Sequence, residues 1–345
     1  MTHRYAILPL LLGAGFLNVA QAAPDWNLGI GAGQTAVNAA PVTPATVRMG
    51  EVLAKNAWER VPGCAKNIAA GAVDQVAVVG CGGQYAADSI YVWKPAGAGG
   101  QFVAEPAGSV MLAFRPDGGF SAGAKEIKRV PSQASWLSID GVANKLYAIG
   151  ADSTVYSRPW VSPYPHHQWT QFVGSQQYMQ PGQVTAIAAG GGHSRGDLWS
   201  ISVQPNGAGG NRIYTSEPCP SLDNSRIVSG RCWKPVDGAA QKVALGDSAW
   251  VTSTDGGIFR RDGNHWQQVE GCARDIAANG SHVYVVGCDS GEGGGNKIYR
   301  RMGDRWSYIY QTGKTLAVDV AGNLWIVKAT GEIWRKKPVT PDPIR

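Results

Sequence analysis

Apolar positions along this chain come in short bursts rather than in the i, i+3, i+4 spacing of an amphipathic helix. Between residues 58 and 335 the bursts run three to six residues and are rich in Val, Ile, Tyr and Trp. Turn pairs such as Asp117-Gly118, Asp255-Gly256, Asp262-Gly263 and Gly322-Asn323 separate them. This pattern predicts strands joined by tight turns, with no capped helix anywhere in that span.

The bursts also repeat. A Trp is followed three residues later by Val or Ile, and ten residues later by an aliphatic residue that opens a small-residue strand: Trp58-Val61-Ile68, Trp233-Val236-Val243, Trp266-Val269-Ile276, Trp306-Ile309-Leu316. Other starts fall at Phe102, Ile127 and Trp169, so the spacings between the seven starts are 44, 25, 42, 64, 33 and 40 residues. Most copies continue with a pair such as Leu146-Tyr147 or Val283-Tyr284 and close on one such as Ile258-Phe259 or Ile298-Tyr299. Each copy is therefore read as four short strands, and a period of about 40–50 residues is that of a propeller blade.

The expected fold is all-β: a β-propeller of six or seven four-stranded blades. The last copy ends at Ile333-Trp334 with only three strands of its own. Residues near Trp58 to Val61 are expected to complete it, so that N-terminal and C-terminal strands pair and close the ring. The copy starting at Phe102 runs 25 residues and lacks a closing pair, which leaves the blade number open. A ring of repeats is one domain despite its length. Its expected span is 58–335, and 46 glycines in 345 residues suit so many turns.

Residues 1–22 read as a secretory signal: a short basic start, an apolar run from about Tyr5 to Phe16, and Ala20-Gln21-Ala22 for cleavage. That run is too short for a comfortable span of about 20 residues, and no later segment predicts a transmembrane helix. Residues 23–57 read as a leader and 336–345 as a tail. The mature chain is expected to be secreted or periplasmic.

Export gives the six cysteines a meaning. Cys64 and Cys81 bracket two consecutive strands of the first copy, and Cys272 and Cys288 hold the matching places in a later one. Cys219 and Cys232 flank a hydrophilic loop. Repeat phase therefore favours the bridges Cys64–Cys81, Cys219–Cys232 and Cys272–Cys288 among the 15 possible connectivities. No C-x-x-C or Cys/His spacing points to a metal, and no cofactor motif is present.

The W-x-x-V-x-G-x-A-x-x-I-A phrase, followed by LY-V-G and IYRR strands, resembles the tectonin repeat of tectonins, horseshoe-crab and fish-egg lectins and bacterial relatives. The resemblance covers most of residues 58–335 and is strongest from Trp233 to Arg335. It implies carbohydrate recognition, of surface glycans or lipopolysaccharide, by loops repeated around a ring. The chain departs from it in the short second copy, in Ile127 in place of Trp, and in insertions around 159–168 and 204–230.

The residues themselves nominate fewer sites. Trp58, Trp169, Trp233, Trp266, Trp306, Trp199, Trp250, Trp325 and Trp334 sit in repeat phase, which marks them first as packing residues. Trp136 and Trp160 are off phase. Trp160, Tyr164, His166 and His167 share a Pro-stiffened insertion that could hold rings toward a ligand at small entropic cost. Arg158, Arg260, Arg261, Arg300 and Arg301 follow the closing pairs at one repeated position. In a chain of net charge +6 they could form a basic rim for phosphate or uronate groups. Charges on edge strands that prevent sheet-to-sheet pairing are the plainer reading.

His193 to Asp197 holds His, Ser and Asp too close in sequence to converge as a catalytic set. Asp289 to Asn296 lacks the ligand spacing of a calcium loop and reads as a turn. Asp140, Asp247 and Asp319 recur at inner-strand turns. The expected function is non-catalytic, multivalent carbohydrate or glycoconjugate binding. An envelope scaffold for a protein partner and a propeller hydrolase or lyase are the alternatives, and no nucleic acid is expected.

Overall fold

A computed structural model describes residues 57–82, 89–96, 99–104, 134–140, 143–150, 152–160, 169–172, 183–190, 198–218 and 231–336. The expected signal, leader and C-terminal tail lie outside them, apart from Ala57 and Lys336. Every regular element among the described residues is a strand, except for two 3₁₀ turns, Gly207–Gly209 and Glu292–Gly294.

The chain opens with β1 (Trp58–Ala70), β2 (Val76–Gly80), β3 (Ile90–Ala96) and β4 (Gly99–Ala104). Next come β5 (Ala134–Asp140), β6 (Lys145–Gly150), β7 (Val155–Pro159) and β8 (Thr170–Gln171), then β9 (Val184–Ala189), β10 (Leu198–Pro205), β11 (Asn211–Pro218) and β12 (Arg231–Ala240). They are followed by β13 (Lys242–Leu245), β14 (Ala249–Thr252), β15 (Ile258–Asp262) and β16 (His265–Val269). The rest are β17 (Ala273–Asn279), β18 (His282–Ser290), β19 (Asn296–Met302), β20 (Arg305–Gly313), β21 (Thr315–Val318), β22 (Leu324–Val327) and β23 (Glu332–Lys336).

Strands β5–β8, β9–β12, β13–β16 and β17–β20 each form one antiparallel four-stranded sheet, while β21-β22-β23-β1-β2-β3-β4 form one of seven. The 13-residue β1 serves both halves of that last sheet. Its first residues pair with β23, Trp58 opposite Lys336 and Val61 opposite Ile333. Beyond an irregularity between Val61 and Cys64, Ala65 to Ala70 pair with β2. N-terminal and C-terminal strands are thus joined where the repeat phase places them. Arg335 reinforces the seam by donating to Glu59 across it, and Arg60 meets Glu332 at 3.1 Å.

Inner and outer strands differ because their surroundings differ. β13 (KVAL), β21 (TLAV) and β22 (LWIV) are almost wholly buried, since sheets cover them on both faces. β15 and β16 instead alternate or face water. The core is distributed between consecutive sheets. Ile68, Val78 and Phe102 pack with Trp325 and Ile333, while Val79 and Ile90 pack with Leu137 and Leu146. Further clusters join each later sheet to the next, ending where Ile298 meets Leu316 and Ile326.

Cys64–Cys81 and Cys272–Cys288 are disulfides with Cα separations of 5.4 and 5.5 Å. Cys232 is bridged too, while its expected partner Cys219 lies outside the described residues. Such bridges persist in oxidising compartments. No helix among the described residues is long and apolar enough to cross a membrane.

Candidate functional site

The phased starts lie on the outermost strands: Trp58 on β1, Phe102 on β4, Trp233 on β12, Trp266 on β16 and Trp306 on β20, with Trp169 beside β8. Ile127 lies outside the described residues. These rings stitch sheets together. The Trp266 indole N–H donates to the Asp237 carbonyl at 2.6 Å, and that of Trp306 to the Glu270 carbonyl at 2.8 Å.

Three of the five rim arginines cover these rings. Arg158 lies over Trp169 at 5.4 Å, Arg261 over Trp266 at 5.1 Å and Arg301 over Trp306 at 5.2 Å, and Arg158 is only 2% exposed. Burial lowers the pKa of Arg261 and Arg301, and the quadrupole of each ring compensates in part. Arg260 is exposed, with Nε 3.4 Å from Ser248 Oγ, and Arg300 lies over Tyr284 at 5.9 Å.

Trp160 is half-buried against the cluster of Leu137 and Leu146, its backbone N–H bonded to the Asn144 carbonyl at 2.8 Å. Tyr164, His166 and His167 lie outside the described residues, as does the His193 to Asp197 segment. Asp289 to Asn296 is the β18–β19 turn, in which Asp289 accepts from Tyr299 at 2.7 Å and pairs with Lys297 at 3.1 Å. Asp319 accepts the N–H groups of Ala321 and Asn323, and Asp140 that of Ala143, as turn-forming side chains do. Asp247 is exposed at the β13–β14 turn.

Inner strands β1, β5, β9, β13, β17 and β21 line a narrow channel. Its polar groups are engaged between neighbouring strands. The Leu137 N–H donates to Asn67 Oδ1 at 2.9 Å, the Ala189 N–H to Ser138 Oγ at 2.8 Å, and the Trp136 indole to the Ile187 carbonyl at 2.9 Å. Asp275 is 4% exposed, and burial raises its pKa. Lys242 opposes that rise, as do hydrogen bonds from Thr315 and from the Ile276 and Leu316 backbones. Lys242 also sits 4.2 Å from the Trp136 ring centre. This collar holds strands in register, and Trp136 is one of its struts.

A wider opening, about 1610 Å³ with its open solvent included, lies where β20 meets the closing strands, and none of the expected ligand-binding residues lines it. Ser290 at the end of β18, Glu292 from the β18–β19 turn, Tyr308, Tyr310, Gln311 and Thr312 from β20, and Lys328 and Trp334 line it. Tyr310 is a non-glycine residue at φ +56° and is 37% exposed. In three other copies the left-handed residue comes one place later and is glycine: Gly63, Gly238 and Gly271. Here Gln311 takes the glycine's place, and the turn moves onto a bulky ring. A left-handed conformation costs an L-residue about 1–2 kcal/mol. The strain holds Tyr310 against Tyr308, with ring centres 4.9 Å apart, at the surface rather than in the core.

Lys328 forms the floor. Its ammonium donates to Gln311 Oε1 and the Thr312 carbonyl, both at 2.7 Å, and more weakly to Thr312 Oγ1 at 3.4 Å. Thr312 stands where Cys64 and Cys272 stand in their copies, so a polar staple replaces the bridge. Burial lowers the Lys328 pKa to about 8, against the opposing pull of Glu332. The cleft thus offers aromatic faces beside amide and hydroxyl groups. A difference among repeat copies, IYQTG where others read VPGC or VEGC, is the signal that could have found it.

Strand order and clusters define the chain as an all-β propeller. No protein-family model and no curated protein matches it. Among solved structures it is similar to the WD40 β-propeller domain of Doa1, at 12% identity over 80% of this chain and 93% of that one, with a TM-score of 0.44. It is also similar to streptogramin B lyase, at 12% identity over 81% and 96% with a TM-score of 0.43. The β-propeller domain of Myceliophteria thermophila Cps50 (Swd1) gives 11%, 82% and 100%, with a TM-score of 0.42.

Proposed function

We propose that this chain is an exported, tectonin-like propeller of six blades that binds carbohydrate without chemical turnover. Dividing the seven-stranded sheet at β1, whose two halves pair with different neighbours, supports the count of six. Disulfides at matching places in two copies support export.

The observation that carries the binding reading is the cleft beside Tyr310, where strain holds an exposed ring next to Tyr308, Trp334 and polar groups. Flat aromatic faces flanked by a few fixed donors and acceptors suit the apolar face and hydroxyls of a sugar ring.

A glycan array probed with the purified mature protein tests this. Binding that Tyr310→Ala abolishes supports the reading. Loss with Trp160→Ala instead would move the site to the insertion. Silence on a broad array, joined with a protein complex that survives sugar competition, would replace the lectin with a scaffold.

A further inference from the structure

Resting on the carbohydrate reading above, we infer that the Tyr310 cleft takes a neutral pyranose rather than an anionic sugar, although the chain as a whole is cationic. A net charge of +6 invites the opposite expectation. The local charges decide it, because ionic attraction falls off over about 10 Å at ordinary salt.

Among the described residues two cations line the cleft, Lys297 and Lys328, and both are committed. Lys328 has three N–H groups and directs them to Gln311 Oε1, the Thr312 carbonyl and Thr312 Oγ1. An arriving phosphate or carboxylate would have to break that staple, which ties β20 to the β22–β23 turn. Lys297 pairs with Asp289 at 3.1 Å and lies over the Tyr308 ring at 5.8 Å. Asp289 is itself held by the Tyr299 hydroxyl at 2.7 Å. Glu292 adds a negative charge at the rim, and Glu332 acts on Lys328 from behind. Arg60 pairs with Glu332 at 3.1 Å, and both lysines that line the cleft are engaged, so no cation among the described lining residues is left over to meet an anion.

What remains for a ligand is neutral chemistry. The exposed Tyr310 ring stands tilted against Tyr308, and the Trp334 indole lies on the far side of Lys328, whose ammonium is 5.7 Å from its centre. The Gln311 amide nitrogen has no partner among the described residues, and with Ser290 it can meet hydroxyl groups. Stacking on a ring this well fixed costs little ordering entropy, because the backbone has already been forced into place.

The test is a titration with neutral tetrasaccharides (cellotetraose, chitotetraose, mannotetraose) and anionic ones (tetragalacturonate, a sulfated tetrasaccharide) at 50 and 500 mM salt. At least one neutral probe is expected to bind, with affinity changing less than about twofold between the two salts. Tyr310→Gly should weaken it about tenfold, Tyr310→Phe should retain it, and the glycine variant should melt no lower than the parent because glycine accepts φ +56° without strain.

Preference for the anionic probes, with affinity falling about tenfold at high salt, would overturn the neutral class while leaving carbohydrate binding intact. Neutral binding that survives Tyr310→Gly would remove the cleft as the site. No binding to any probe, here or on the array, would sink the carbohydrate reading itself.

Discussion

The indole of Trp306 rests on Gly271 of the preceding sheet, donating its N–H to the carbonyl just before that glycine. Gly271 holds φ +126°, and a Cβ there would stand 3.2 Å from both Trp306 Nε1 and Ile258 Cδ1. Trp266 sits on Gly238 in the same way. In these two copies the V-x-G is therefore a socket for the next copy's tryptophan. Gly271→Ala should cost about 1–3 kcal/mol through backbone strain and crowding. Trp306→Phe should cost about 1 kcal/mol for the lost hydrogen bond and weaker cation–π contact. Chemical denaturation of the two variants measures this, and unchanged midpoints would refute the socket.

The socket explains what was legible in the sequence and what was not. The phrase W-x-x-V-x-G is one contact seen from both sides, so its recurrence revealed the strands, the ring and the seam at β1. Two disulfides were readable because their cysteines keep phase. The arginines after the closing pairs also kept phase, but phase cannot tell a rim from a cover, and Arg158, Arg261 and Arg301 lie on tryptophan faces. Trp136 broke phase yet bonds to Ile187, because it supplies by a longer reach the inter-strand link that Asn67 makes to Leu137. The Tyr310 cleft stayed hidden because it is defined by residues absent from one copy, a glycine and a cysteine, rather than by a motif present in it.

Gly256 should be coupled to the Cys272–Cys288 bridge. It lies in the β14–β15 turn at φ +92°, where a Cβ would meet Cys272 Sγ at 2.5 Å and Cys288 Sγ at 2.9 Å. Its carbonyl also accepts the Ala273 N–H at 2.8 Å, so the bridge is pressed against the neighbouring sheet. Replacing both cysteines by Ser should cost about 3 kcal/mol for a loop of this length. Gly256→Ala should cost about 1–3 kcal/mol in the bridged protein and measurably less in the serine background. A double-mutant cycle reads the coupling, and strict additivity would rule it out.

Lys328 should make stability rise in mildly alkaline solution. Its folded pKa, about 8, is below the ordinary lysine value of 10.5, so between those two values the unfolded chain binds more protons than the folded one. Raising pH through that window relieves the cost of burying a charge, a cost fully present below about pH 8. Lys328→Met removes the titrating group. Melting temperatures from pH 7 to 10 should show the parent gaining on the variant, and parallel curves would contradict the assignment.

Asp275 carries the opposite sign. Burial raises its carboxyl pKa above the ordinary 3.8, so the folded chain holds the extra proton and this group's contribution to stability is lost as pH rises through the folded pKa. Whenever it is ionised, the buried carboxylate depends on Thr315, two backbone N–H groups and the nearby Lys242. Asn67 occupies the same place on β1 and accepts the Leu137 N–H at 2.9 Å without any charge. Asp275→Asn should therefore keep the bond to the Leu316 backbone while removing the desolvation cost. Relative to the parent, the variant should melt higher at pH 7 than at pH 4. A variant that instead loses ground to the parent on going from pH 4 to pH 7 would show that the carboxylate's pairing with Lys242 outweighs the cost of its burial.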